Sequence, residues 1–141
     1  MTSQPADRPR PRDAGPELLA LARWEAFCEW FLPHTARWPR SCRFTLVRRL
    51  QDHALDVAEW LVVARYEPAQ RAELLRRANL HLERMRHLLR LARSLGHGSS
   101  RAAERAHGEI DEVGRMLFGW RRSLGEPHRV PADRRAAELP R

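Results

Sequence analysis

The stretch from residue 71 to 95 constrains this chain more than any other. Leu75, Ala78, Leu82, Met85, Leu89 and Ala92 recur at spacings of 3, 4, 3, 4 and 3, an unbroken heptad seam for packing helix on helix. The other faces of the same segment carry Arg71, Arg76, Arg77, Arg84, Arg86, Arg90 and Arg93 against only Glu73 and Glu83. Such a helix joins a bundle along one stripe and offers positive charge elsewhere.

A second seam follows the same rule. Ala106, Ile110, Val113, Leu117, Trp120 and Leu124 lie 4, 3, 4, 3 and 4 apart. Leu21, Trp24, Cys28 and Phe31 form a shorter row, and Leu50, Ala54, Val57, Leu61 and Ala64 another. Proline and glycine set the breaks. Helix one is expected from Pro16 to Leu32 and an irregular link from Pro33 to Arg40. Helix two is expected from Ser41, as N-cap, to Tyr66, and helix three from Pro68 to Leu95. Gly96 suits a left-handed C-terminal position. Ser99 or Ser100 then caps helix four, which ends near Leu124. No proline falls inside an expected helix. Helices of about 25 residues, roughly 37 Å long, joined by short links predict an all-α, antiparallel up-and-down four-helix bundle over residues 16–125. Residues 1–15 and 126–141 read as disordered tails rich in proline and arginine.

Helix two has more apolar surface than one bundle can bury. Leu55, Val62 and Val63 lie off its seam, as does Trp60, and Leu80 and Leu91 lie off that of helix three. Exposed apolar faces of that kind mark association, so the expectation is a homo-oligomer with Leu55, Val62, Val63, Leu80 and Leu91 at its interface.

With 141 residues the chain has room for one domain of ordinary core size. It lacks an apolar run long enough for a bilayer and a secretory signal, so a cytoplasmic protein is expected. Cys28 and Cys42 lie 14 residues apart with no zinc-like spacing; they read as reduced, Cys28 as a small buried hydrophobe.

The charge is uneven. Residues 1–70 hold 10 arginines and 9 acids, residues 71–141 hold 16 and 9, so the net +8 divides into +1 and +7. All 26 basic residues are arginine. A GC-rich genome accounts for that choice, yet its consequence is physical: guanidinium forks match phosphate and carboxylate bidentately and stack on bases. Two segments hold five arginines and no acid, Arg37–Arg49 and Arg84–Arg101, the first interleaved with Trp38 and Phe44. A solvated charged face is the plain reading of either run alone; two in one small bundle point to a polyanion or an acidic protein surface. The candidate contacts are Arg43, Arg48 and Arg49 at the head of helix two, and Arg84, Arg86, Arg90 and Arg93 on helix three. No base-reading motif is present, so recognition is expected through backbone charge and shape.

Enzymatic chemistry finds little support. Glu104-x-x-His107 has the spacing of a di-iron half-site, but it is a single copy that flanks its seam. His53 with Asp56 reads as a helix surface pair. Gly96-His97-Gly98 lacks the lysine and strand context of a phosphate loop. No catalytic residue, metal or cofactor is expected.

Three segments in order carry a resemblance. They are Pro39-Arg40-Ser41-Cys42-Arg43-Phe44-Thr45-Leu46, then Arg77-Ala78-Asn79-Leu80-His81-Leu82-Glu83-Arg84-Met85-Arg86, then Glu109-Ile110-Asp111-Glu112-Val113-Gly114-Arg115-Met116-Leu117-Phe118-Gly119-Trp120. Over about residues 17–124 the chain resembles the accessory variability determinant of diversity-generating retroelements, a family related to bundle proteins encoded in ribosomal-RNA intervening sequences. The resemblance implies a homopentameric basic barrel of four-helix bundles. It also implies binding to the retroelement's reverse transcriptase and template RNA, in support of mutagenic cDNA synthesis, with no chemistry of its own. Where that family often has Gly-Gly-Trp, this chain has Phe118-Gly119-Trp120. The alternatives are a generic nucleic-acid-binding bundle of the intervening-sequence type, and an arginine-rich protein-binding scaffold.

Overall fold

The structure, a computed structural model, describes residues 15–125; the expected tails therefore lie outside the described residues, Gly15 excepted. Among these residues there are four long helices and no strand: α1 Pro16–Ala36, α2 Arg48–Tyr66, α3 Arg71–Ser94 and α4 Ser100–Gly125. They form a four-helix bundle around one core. All of Leu50, Ala54, Val57, Leu61 and Ala64 on α2 are buried, as are the six seam residues of α3 and the first five of α4. On α1 the rings of Trp24, Phe27 and Phe31 stack in sequence at 4.7 and 4.8 Å between centroids, and the Trp24 Nε1–H donates to the Ala54 carbonyl at 2.8 Å. That bond lets a large indole be buried without stranding its donor.

Cross-helix partners fix how the helices lie. Trp24 meets Ala54 while Gln51, earlier on α2, meets Leu32, later on α1. Arg23 pairs with Glu109 while Arg105, earlier on α4, lies over Trp30, later on α1. The 37–47 link and the 95–99 turn therefore share one end, where Trp38 stacks on His97 at 6.1 Å.

Two expectations about α1 and α2 need correction. Helix one does not stop at Leu32; it runs through Pro33 to Ala36. The proline lacks the N–H that would reach the carbonyl one turn back; beyond it side chains tie the last turn, Thr35 Oγ1 donating to the Phe31 carbonyl at 2.9 Å and Gln51 Nε2 donating to the Leu32 carbonyl at 3.1 Å and to Thr35 Oγ1 at 3.0 Å. Nor does Ser41 cap helix two. Arg40–Cys42 is a 3-10 turn, and Arg43–Val47 is a π turn that leads into α2. The extra residue of that wide turn shifts the register. Leu46 closes the row begun by Cys42, Val47 opens the row continued by Leu50 and Ala54, and both are buried.

The α3 terminus follows the expected chemistry. Gly96 has φ +86°; its N–H donates to the Arg93 carbonyl at 3.0 Å, and the His97 N–H donates to the Ala92 carbonyl at 2.8 Å. These two bonds make a Schellman end. Ser99 caps α4, its Oγ accepting from the Ala102 N–H at 3.1 Å. Both cysteines are free and buried, and burial pushes the Cys28 thiol up to about 12. Helix three begins later than expected, after a 3-10 turn at Pro68–Gln70. No helix among the described residues is long and apolar enough to cross a membrane.

Candidate nucleic-acid interface

The end of the bundle where α1 meets α2 and α3 meets α4 gathers cations. Among the described residues, no acid pairs with Arg37, Arg40, Arg43, Arg49 or Arg101. Arg48 has Asp52 at 3.9 Å, a loose pair between two exposed side chains that contributes little to stability. Arg105 lies 4.2 Å from the centroid of Trp30, a cation–π contact that leaves its charge uncompensated. Two histidines at this end, His34 and His107, are disfavoured as cations. Burial, reinforced by Arg37 and Arg105, holds His34 below the ordinary histidine range, and burial together with Arg90 does the same for His107.

The seven arginines singled out in the sequence fall into five situations. Arg43 and Arg48 line a groove of about 320 Å³ with Phe44, Trp38 and Gln51. Arg49 and Arg84 line a second groove with His53, Leu80, Glu83 and His87, so one member of each sequence group borders it. Arg90 Nη2 lies 2.9 Å from His87 Nδ1. Arg93 is used by the fold: it donates to the Gly98 carbonyl at 2.8 Å and to Ser100 Oγ at 3.0 Å, tying the turn to α4.

Arg86 differs most from its expected role. Only 19% of its side chain is exposed, and it bridges Glu83 on α3 and Asp111 on α4, the latter at 2.7 Å. Gly114 makes room for it, since a Cβ there would lie 3.1 Å from Arg86 Nη2. Its charge is matched inside the chain, so it serves α3–α4 packing.

A polar cluster sits between α2 and α3. Asp56 was expected to pair with His53; its carboxylate instead meets His81 Nε2 at 3.3 Å across the helix interface. Arg84 Nη1 lies 3.2 Å from His81 Nδ1. A guanidinium only donates, so Nδ1 accepts and Nε2 carries the hydrogen toward Asp56. Burial, with Arg84 as a lesser cause, lowers the pKa of His81 despite Asp56, and burial with His81 lowers that of His53. His53, Asp56 and His81 offer ligand atoms within 4.8 Å of one another. With Nε2 protonated and Arg84 adjacent, this tautomer does not present a donor set for a cation. Periodicity gave no sign of the cluster, because His81 joins it from 25 residues away.

Among the expected interface residues, Leu55, Val62, Val63, Leu80 and Leu91 are all exposed in the single chain, on the outer sides of α2 and α3. Phe118 is exposed as well. The signal that sequence reasoning underused is the π turn's aromatic: Phe44 is 75% exposed between unpaired arginines.

No curated protein and no solved structure matches the chain. The family model of bAvd-like proteins, bAvd being the accessory variability determinant, matches residues 18–124. That match runs from the first helix to the last, and the chain belongs to the bAvd-like family.

Proposed function

We propose that this protein is a non-enzymatic accessory subunit of a diversity-generating retroelement. It binds the element's reverse transcriptase and its template RNA or cDNA through a basic surface, and so supports mutagenic reverse transcription in the cytoplasm. It acts as a homo-oligomer of antiparallel up-and-down bundles, a pentamer if the family pattern holds. Family membership supports the accessory role. The observation that carries the binding role is the bundle end where Arg37, Arg40, Arg43, Arg49 and Arg101 have no acidic partner among the described residues. Uncompensated guanidinium groups concentrated at one end release counterions from a polyanion on binding. The exposed leucines and valines of α2 and α3 supply the apolar surface for association.

Co-expression with the neighbouring reverse transcriptase and its template RNA tests the role. Recovery of a ternary complex of oligomeric mass supports it. A protein that binds RNA equally well but never retains the reverse transcriptase supports the intervening-sequence type instead. Location of the gene inside a ribosomal-RNA gene would favour that second reading too, whereas a reverse transcriptase gene beside near-repeats that differ at adenines favours the first. Retention of acidic proteins without RNA affinity would leave only the protein-binding scaffold.

A further inference from the structure

We propose that the groove at the α1–α2 junction holds one unpaired nucleotide of a single-stranded segment, its base stacked on Phe44 and its phosphate on Arg43 and Arg48. The inference rests on the polyanion reading above and assigns a ligand chemistry to one place within it. Phe44 is 75% exposed and has no ring contact among the described residues. It stands outward because the π turn Arg43–Val47 places Leu46 and Val47 in the core on the opposite side, and π turns recur at functional sites. The exposed Phe44 ring shares the groove lining with two cations, Arg43 and Arg48. It is well placed to receive a flat π system that carries an anion.

The groove matches a nucleotide in size and polarity. Its volume of about 320 Å³ lies at the lower end of the range of small-molecule sites, ~300–1,000 Å³. One carboxylate, Asp52, lines the groove against two guanidiniums; it makes only a loose contact to Arg48, and Arg43 has no acidic partner among the described residues, so both forks can turn to phosphate oxygens. Gln51 lines the same groove. Its Nε2 is used by Leu32 and Thr35, which orients the carboxamide and leaves Oε1 as an acceptor for an exocyclic amine. A duplex cannot use this arrangement, because its bases already stack on one another. Single strands and loops can splay a base onto an aromatic side chain.

Fluorescence anisotropy with a labelled single-stranded oligonucleotide and a blunt-ended, loop-free duplex of equal charge tests this, with Phe44→Ala and Phe44→Trp variants of the full chain. Phe44→Ala should weaken single-strand binding by roughly tenfold, as loss of one base–aromatic stack does, and leave duplex binding within about twofold. Phe44→Trp should restore the single-strand affinity. Because Phe44 is exposed, both variants should keep the wild-type melting temperature and mass. Equal loss for both ligands, or no loss for either, would overturn the nucleotide site while leaving the basic interface standing. A changed oligomer mass in Phe44→Ala would overturn it as well, by making Phe44 a subunit contact. If the wild type bound neither ligand at low salt, the polyanion reading beneath it would fall first.

Discussion

The two ends of this bundle use the same residue, arginine, in opposite ways. At the end formed by the α2–α3 link, Arg71, Arg76 and Arg77 are tied into the fold. Glu73 accepts from Arg76 at 2.8 Å and from Arg77 at 3.0 Å, and the two guanidiniums hold its carboxyl down at about 2. Arg71 turns back to the last carbonyls of α2, reaching that of Arg65 at 2.8 Å, and so satisfies groups a helix end would leave open. At the other end Arg37, Arg40, Arg43, Arg49 and Arg101 face water without acids. Arg71, Arg76 and Arg77 are spent on the fold at the first end; the five arginines at the second stay available. Net charge alone does not reveal this, since what matters is which arginines have partners.

The largest perturbation acts on the scaffold that both ends share. Leu82 is fully buried, and Leu82→Ala should cost about 2–5 kcal/mol, read as a lower denaturant midpoint at unchanged slope. Loss of less than about 1 kcal/mol would mean that the core is looser than described. Next comes the contrast itself. Reversing Arg37, Arg40 and Arg43 to glutamate should weaken RNA binding at least tenfold, since each removed phosphate contact takes about one unit from the salt slope. Reversing Arg76 and Arg77 should leave binding within about twofold. Equal effects from the two sets would erase the distinction between the ends.

Smaller effects sharpen the junction end. Ser99→Ala should cost about 1 kcal/mol through the lost cap, and Gly96→Ala roughly as much because its φ of +86° is strained for any side chain. Thermal melts check both. The smallest is a two-stage pH response. His34, His53, His81 and His107 have folded pKa values below the unfolded value. The unfolded chain therefore binds more protons, and stability should decline as pH falls below about 6.5. Glu73 and Glu112 are also lowered, by hydrogen bonds from their arginine partners, so a further loss should begin below about 4.5. A flat melting temperature from pH 7 to 5 would contradict the histidine placement.

Much of the fold was legible because its cause is local. Seam residues at 3.5-residue spacing are buried along α3 and along α4 as far as Trp120, and a glycine ends α3 where left-handed backbone is needed. The α1–α2 junction was not legible, because its causes are distant in sequence. The last turn of α1 beyond Pro33 is held by Gln51 from α2, and the π turn carries both Leu46 and Val47 into buried positions. The same holds for the arginines. Acid-free runs draw attention to two segments, yet a run cannot show that Asp111 reaches Arg86 from the next helix or that Arg93 is held by Gly98. Nor does it show that Arg37, Arg40 and Arg101 have no acidic partner among the described residues.

The most direct test is the salt dependence of binding to a structured RNA, compared between the wild type and the Arg37→Glu/Arg40→Glu/Arg43→Glu variant, with light scattering and melting curves to confirm equal mass and stability. If about four phosphates are neutralised, the wild-type log–log slope should be roughly −3 to −4, falling to about −1 in the variant. The same slope and affinity in both proteins would contradict the assignment of the acid-free end as the polyanion interface.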